Sequence, residues 1–120
     1  MLTEAEQRTL DAYVALLRKR LVEELLGIWI FGSVARGESW PPGMPIRSDL
    51  DLLVVVARPL DGDLEQELVD STYPLFLETG RQIGPQFRTR EELGRTPEFV
   101  ENLRRDAVEI WRHPSRPVTL

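Results

Sequence analysis

The 120-residue chain contains no cysteine. Disulfides, thiolate metal sites and thiol nucleophiles are therefore excluded. Its one histidine, His113, stands beside Pro114 near the C-terminus and reads as a tail residue, not as a ligand or catalytic group. Lys19 is the single lysine; the other basic residues are arginine, a compositional habit more than a functional mark. No apolar stretch approaches the roughly 20 residues of a membrane span. The opening MLTEAEQRTL is acidic and polar, unlike a signal peptide, so a cytoplasmic protein without membrane contact is expected. Positive charge is also in deficit: 15 Lys and Arg against 20 Asp and Glu leave a net charge of −5. An extended nucleic-acid surface, which must neutralise many phosphates, is not expected, whereas a single nucleotide needs only a local cluster.

What is present is ordinary for a globular protein, with 42% hydrophobic and 29% charged residues. The length predicts one domain spanning residues 1–120 with a core of its own. Repeats and low-complexity tracts are absent from the sequence. Residues 3–26 read as a helix, with a Thr3/Glu6 capping box, an apolar stripe from Leu10 to Leu25, and Gly27 as C-cap. IWIF (28–31) reads as a strand, SVAR (33–36) as a short helix, and the proline-rich 38–48 as a loop. LDLLVVVA (50–57) is a near-continuous apolar run, the pattern of a strand buried on both faces. Residues 64–79 predict a second helix, capped by Asp63 and closed by Gly80. RQIGPQFRT (81–89) predicts a strand at an edge or a bulge, because Pro85 cannot donate to a ladder. Thr89 and Glu92 make another capping box, and Thr96-Pro97 opens a last helix whose apolar face runs from Phe99 to Trp111. That face is read as core first, with Arg104-Arg105 as a solvated side. The order predicts an α/β (α+β) fold: a small mixed β-sheet with helices packed mainly on one face.

Two short stretches carry the chemistry. FGSVARG (31–37) places Gly32 and Ser33 directly after a strand, and SDLDLLVVV (48–56) places Asp49 and Asp51 at the mouth of another. Side chains alternate along a strand, so both aspartates project to one face, with Cα atoms about 6–7 Å apart. Facing carboxylates repel unless a cation joins them, and Mg2+ favours carboxylate and phosphate oxygens. Gly32 lets backbone N–H groups approach a phosphate, the Ser33 hydroxyl adds a donor, and Arg36 balances charge. The pattern suits a nucleoside triphosphate on the Gly-Ser turn, joined through Mg2+, as one ion or two, to Asp49 and Asp51. Trp40 could stack on a base or cover core.

These paired stretches resemble the GS…DxD signature of the polymerase-β-type nucleotidyltransferase superfamily, and most of all its minimal nucleotidyltransferase (MNT) proteins. The motif spans residues 31–56, and the order of elements agrees over nearly the whole chain. The resemblance implies the polymerase-β-like palm fold, Gly32 and Ser33 at the triphosphate, Asp49 and Asp51 as metal ligands, and ATP as the nucleotide. It implies transfer of a nucleoside monophosphate to a hydroxyl on a protein or small-molecule acceptor. It also implies a HEPN-domain partner, as in toxin–antitoxin pairs where the antitoxin transfers AMP; a homo-oligomer is a further expectation. The chain departs from the pattern in two places. The link from Gly37 to Asp49 is longer than usual, with WPPGMP as the insert. Active members also carry a third carboxylate on a later strand. Here that strand is RQIGPQFRT, whose site-facing positions are Gln82, Gly84, Gln86 and Arg88. Glu78, Glu91 and Glu92 are the nearest acids in sequence. A second reading follows from this loss: a catalytically weakened nucleotide-binding module that acts by contact with a HEPN-type protein.

Overall fold

A capping box fixes where the fold begins. Thr3 Oγ1 accepts from the Glu6 N–H at 3.1 Å, and Glu6 Oε1 accepts from the Thr3 N–H at 2.8 Å. Helix α1 (Glu4–Arg20) follows, with Glu4 and Glu6 in its first turn and Arg18, Lys19 and Arg20 in its last, as the helix dipole favours. Leu10, Tyr13 and Leu17 form its buried stripe. The computed structural model describes residues 2–32 and 49–120. The helix expected at 33–36 and the loop expected at 38–48, Trp40 included, lie outside the described residues.

Helix α1 stops earlier than the leucine spacing suggested, because Leu25 and Leu26 belong to strand β1 (Leu25–Phe31). Gly27, expected as a C-cap, sits within β1 where its register against the next strand shifts. A Cβ there would lie 2.6 Å from Trp29 Cζ3, so the indole covers a bare Cα. Strand β2 (Leu50–Val56) runs antiparallel to β1. The helix expected over 64–79 is two helices, α2 (Gly62–Asp70), capped by Asp61 instead of Asp63, and α3 (Thr72–Thr79). Pro74 explains the break: it has no N–H, and its ring crowds the carbonyl four residues back, at Asp70. Gly80 closes α3 with a φ of 76°. Strand β3 (Ile83–Thr89) pairs parallel to β2, and helix α4 (Arg90–Gly94) starts from the expected Thr89/Glu92 capping box.

The last expected helix is also divided. Helix α5 (Pro97–Asp106) ends where Ala107 turns extended at ψ 141°, and Val108–Arg112 is strand β4, antiparallel to β1. The β-branched Val108 and Ile110 suit a strand, and pairing satisfies a β1 edge that would otherwise be bare. Among the described residues the sheet has the order β3-β2-β1-β4. Pro85 therefore lies on an edge strand, as its chemistry requires.

Two cores flank the sheet. Leu50, Leu52, Val54 and Val56 of β2 pack with Leu10, Tyr13, Leu17, Leu68 and Ile83, which places α1, α2 and α3 on one face. Leu53 and Val55 pack with Leu26, Trp29, Leu93, Leu103 and Val118, so α4, α5 and the C-terminal tail cover part of the other face. The mixed sheet with its main helical layer on one face agrees with the sequence reading. Among the described residues no helix is long and apolar enough to cross a membrane.

Polar groups lock the larger layer. Arg81, just ahead of β3, places Nε and Nη2 each 3.0 Å from Glu6 Oε2, with side chains 11% and 5% exposed. Tyr13 Oη donates to Leu68 O at 2.7 Å. Burial pushes the Glu6 pKa up, but hydrogen bonds from Thr3 and the Arg81 guanidinium outweigh it and hold the carboxyl below its ordinary 4.5. A lowered folded-state pKa contributes stability that is fully present above the unfolded value and is lost as pH falls through the folded one. Glu6→Gln is therefore expected to cost roughly 3 kcal/mol of stability at pH 7, as a broken buried pair does, and so to lower Tm. Its deficit against the parent should shrink below pH 4.5; thermal denaturation from pH 3 to 7 measures both. Tyr13→Phe, which leaves the Leu68 carbonyl without its donor, should cost about 1–2 kcal/mol in denaturant unfolding.

Candidate active site

Two strand mouths and one turn make the site. β1 ends at Phe31, whose register partner is Asp51. Gly32 then leads the chain away with a φ of 80°. The left-handed backbone favours glycine here, and an added Cβ would also press on Asp51 Oδ2 and force that side chain to shift. Sequence reading chose Gly32 for its approach to a phosphate; the structure adds its contact with the carboxylate.

Asp49 immediately precedes β2 and is exposed, while Asp51 lies within β2 and is half-buried. By alternation they share the face of Leu53 and Val55, away from α1. Across β2, Asp51 is in register with Gly84 of β3. A Cβ built on Gly84 would meet Asp49 Oδ2 at 3.5 Å and Asp51 Oδ1 at 3.7 Å. Both carboxylates thus reach toward one point above a bare Cα. Asp51 spans the gap, with Oδ2 against Gly32 on one flank and Oδ1 toward Gly84 on the other.

Two carboxylates converging in this way repel, and an oxygen-only donor set suits a hard divalent cation. By their donor chemistry the two carboxylates suit Mg2+. The fold places none of Glu78, Glu91 and Glu92, the nearest acids in sequence, beside this pair. Because β2 and β3 are parallel, Thr89 lies at the far end of β3, roughly 16 Å beyond the level of Gly84. Glu92 is used in the cap of α4 there, and Glu91 pairs with Arg95 at 2.6 Å. Glu78 lies on α3, in the helical layer on the other face. Among the described residues no three of His, Cys, Asp and Glu come together as a metal-binding group. The remaining candidates on β3 are engaged locally. Gln82 Nε2 donates to Thr72 Oγ1 at 2.7 Å, and Gln86 Oε1 accepts from Arg88 at 3.3 Å. Ser33 and Arg36 lie outside the described residues.

Beside Gly32 opens a cleft of about 440 Å³, lined by Phe31, Phe99, Asn102, Leu103, Arg105 and Asp106. Phe99 meets Phe31 edge to face, with centroids 5.7 Å apart. Arg104-Arg105 was read as a solvated pair. Both are exposed, as expected: Arg104 is bridged to Glu101 at 3.3 Å, and Arg105, bonded to Asn102, also lines the cleft. The available signal was the three-residue spacing of Phe99, Asn102 and Arg105, which puts them on one side of α5. A larger cleft, about 550 Å³, lies between α4, α5 and the tail and includes neither aspartate.

The nucleotidyltransferase domain profile matches residues 14–111. Spectinomycin 9-adenylyltransferase from Enterococcus faecalis is 30% identical over 101 residues, covering 84% of this chain and 34% of the relative. The chain thus spans about a third of the curated relative it matches. Among solved structures, that of a spectinomycin adenylyltransferase with ATP and spectinomycin superposes with a TM-score of 0.64 at 20% identity, over 94% of this chain and 60% of the other. The Shewanella oneidensis complex of an MNT antitoxin with tri-AMPylated HEPN toxin gives 0.57 at 17% identity, over 91% and 74%. A toxin–antitoxin structure with AMP-PNP gives 0.57 at 18%, over 88% and 75%. With the profile running from within α1 to β4 and taking in both aspartates, this chain belongs to the nucleotidyltransferase domain family.

Proposed function

We propose that this chain transfers a nucleoside monophosphate, AMP from ATP, to a hydroxyl on a protein or small-molecule acceptor, and that a HEPN-domain protein is its partner. The observation that carries this reading is the convergence of Asp49 and Asp51 on one point between Gly32 and Gly84. A purely structural turn has no use for two carboxylates held against each other. The relatives support the choice of nucleotide and acceptor class, since they include an adenylyltransferase and an antitoxin beside an AMPylated toxin.

In this reading Gly32 admits the triphosphate along a bare Cα, Ser33 donates its hydroxyl to a phosphate oxygen, and Arg36 neutralises charge. Arg105, in the cleft beside Gly32, adds a second guanidinium to the same end of the nucleotide. Asp49 and Asp51 would hold Mg2+, which when bound stabilises charge on the attacking and leaving oxygens. The acceptor hydroxyl oxygen bonds to the α-phosphorus as the bond to pyrophosphate breaks; pyrophosphate leaves and the hydroxyl proton passes to solvent. The second reading, a module acting by contact, is favoured by one observation: among the described residues no third acid joins the pair.

Label transfer separates the two. With ATP labelled at the α-phosphate, Mg2+ and lysate of the source cell, a labelled acceptor is expected from the parent chain. Asp51→Asn should reduce labelling by roughly 10²–10³-fold, the usual effect of removing one preorganised charge from such a site. No labelled product, with HEPN protein added, would overturn transfer in favour of contact. ATP with Mg2+ at 100 times Kd should stabilise by about 2.7 kcal/mol, seen as a rise in Tm, and the rise should vanish in Gly32→Ala. Arg105→Ala should weaken ATP binding about tenfold in calorimetry, the scale of one charge-assisted contact, with Tm of the free chain unchanged.

A further inference from the structure

Helices α2 and α3 carry a surface that nucleotide transfer does not use. Ser71, between them, keeps helical dihedrals at φ −65° and ψ −12°, so their side chains follow one helical wheel. Leu68, Thr72, Leu75 and Thr79 turn inward. Leu68 and Thr72 are buried, Leu75 packs on the core, and Thr79 is bonded to Thr9 of α1. Beside them Val69, Tyr73, Phe76 and Leu77 form a second stripe at three- and four-residue spacing, and this one faces outward. Among the described residues six large apolar side chains are exposed, and these are four of the six. Tyr73 and Leu77 are 58% and 64% exposed, and the Tyr73 and Phe76 rings lie 6.4 Å apart. Single exposed apolar residues need no explanation, but a continuous stripe of them does.

The charge around the stripe is of one sign. From Gly62 to Thr79 the chain has Asp63, Glu65, Glu67, Asp70 and Glu78, and no lysine, arginine or histidine. Asp63, Glu67 and Asp70 line a cleft of about 460 Å³ with Gln66, Ser71 and Pro74. On the wheel these acids follow Leu77, on the side away from the core. Glu67 is bridged to Arg20, whereas Asp63 and Asp70 have no ion pair among the described residues. An apolar stripe with an acidic rim selects what can cover it. A second copy related by a two-fold axis would set the same acids against each other. An anionic lipid surface would be repelled as well. A helix with an apolar face and Lys or Arg along its edge satisfies both parts of the surface.

We propose that the α2–α3 face docks a protein that presents a basic amphipathic helix, its apolar side on Val69, Tyr73, Phe76 and Leu77 and its Lys or Arg side chains on Asp63 and Asp70. Helices α1, α2 and α3 cover one face of the sheet, and Asp49 and Asp51 share the other. The docked protein therefore sits across the sheet from the two aspartates and leaves them open. The surface retains a partner without occupying the candidate active site, and it stands or falls independently of nucleotide transfer.

The test uses the full chain and two fluorescent peptides of about 18 residues, long enough to be helical when bound. Both carry leucine at three- and four-residue spacing; one has lysine at the flanking positions and the other glutamate. In anisotropy titrations the lysine peptide is expected to bind at least roughly tenfold more tightly, because like charges face each other in the glutamate complex. Tyr73→Ser/Leu77→Ser should weaken that binding about tenfold, the scale of losing anchor side chains. Asp63→Asn/Asp70→Asn should weaken it and flatten its dependence on salt. All four positions are exposed, so an unchanged Tm is expected in both double variants. Asp51→Asn, on the opposite face, should leave peptide binding as it is, which keeps loss of docking distinct from loss of transfer. No binding of the lysine peptide, equal binding of the two peptides, or binding indifferent to either double variant would overturn the inference. A dimer of the free chain that Tyr73→Ser/Leu77→Ser dissolves, seen by sedimentation velocity, would overturn it in favour of a second copy.

Discussion

The register of β2 is the constraint on which the site depends. Its side chains go alternately into two separate cores, Leu50, Leu52, Val54 and Val56 to one and Leu53 and Val55 to the other. A one-residue slip would exchange the two sets and turn Asp51 toward the helix α1 layer. The exchange would push each aliphatic side chain into a core shaped for others, and such mispacking costs about 1–3 kcal/mol per site. The pairings to β1 and β3 on either side add hydrogen bonds that the slip would break. The carboxylates are therefore placed by residues that take no part in the chemistry.

What the register places is a pair of carboxylates on one face of the sheet. Asp49 and Asp51 lean together, and the positions flanking Asp51 on both neighbouring strands are glycines. Gly32 is favoured by its backbone and by the crowding of Asp51, whereas Gly84 is favoured by neither. The two glycines look equivalent in a sequence and are different physically. One shapes the protein around a carboxylate; the other leaves space that a ligand can use. The Glu6–Arg81 pair holds the start of β3 against the start of α1, so the strand bearing Gly84 is anchored just before it reaches the site.

Much of this was legible in the residues. β2 declared itself by its unbroken apolar run, both capping boxes by their Thr and Glu spacing, the edge position of β3 by Pro85, and the facing of Asp49 and Asp51 by simple alternation. The misreadings have physical causes. Leu25 and Leu26 continued a helical spacing, but the sheet recruited them. Val108, Ile110 and Trp111 also fell on a helical face, and tertiary pairing with β1 decided otherwise. Pro74 carried the signal for the break between α2 and α3, and the apolar spacing around it obscured it. That Gly84 faces the site was legible by alternation, but its register directly opposite Asp51, 33 positions away, was not. The same is true of Arg105, whose neighbour Gly32 is distant in sequence.

The pairing of Phe31 with Asp51 has a consequence for how such a protein can diversify. Residues 33–48 enter the fold at Gly32 and leave it at Asp49, and both ends are pinned by hydrogen bonding and burial of β1 and β2. The spacing of Gly32 from the two aspartates is set by the pairing of β1 with β2. Selection for a new acceptor can then vary the sequence at positions 37–48 while that spacing is inherited unchanged. In engineering terms, they are the natural place to graft a recognition segment.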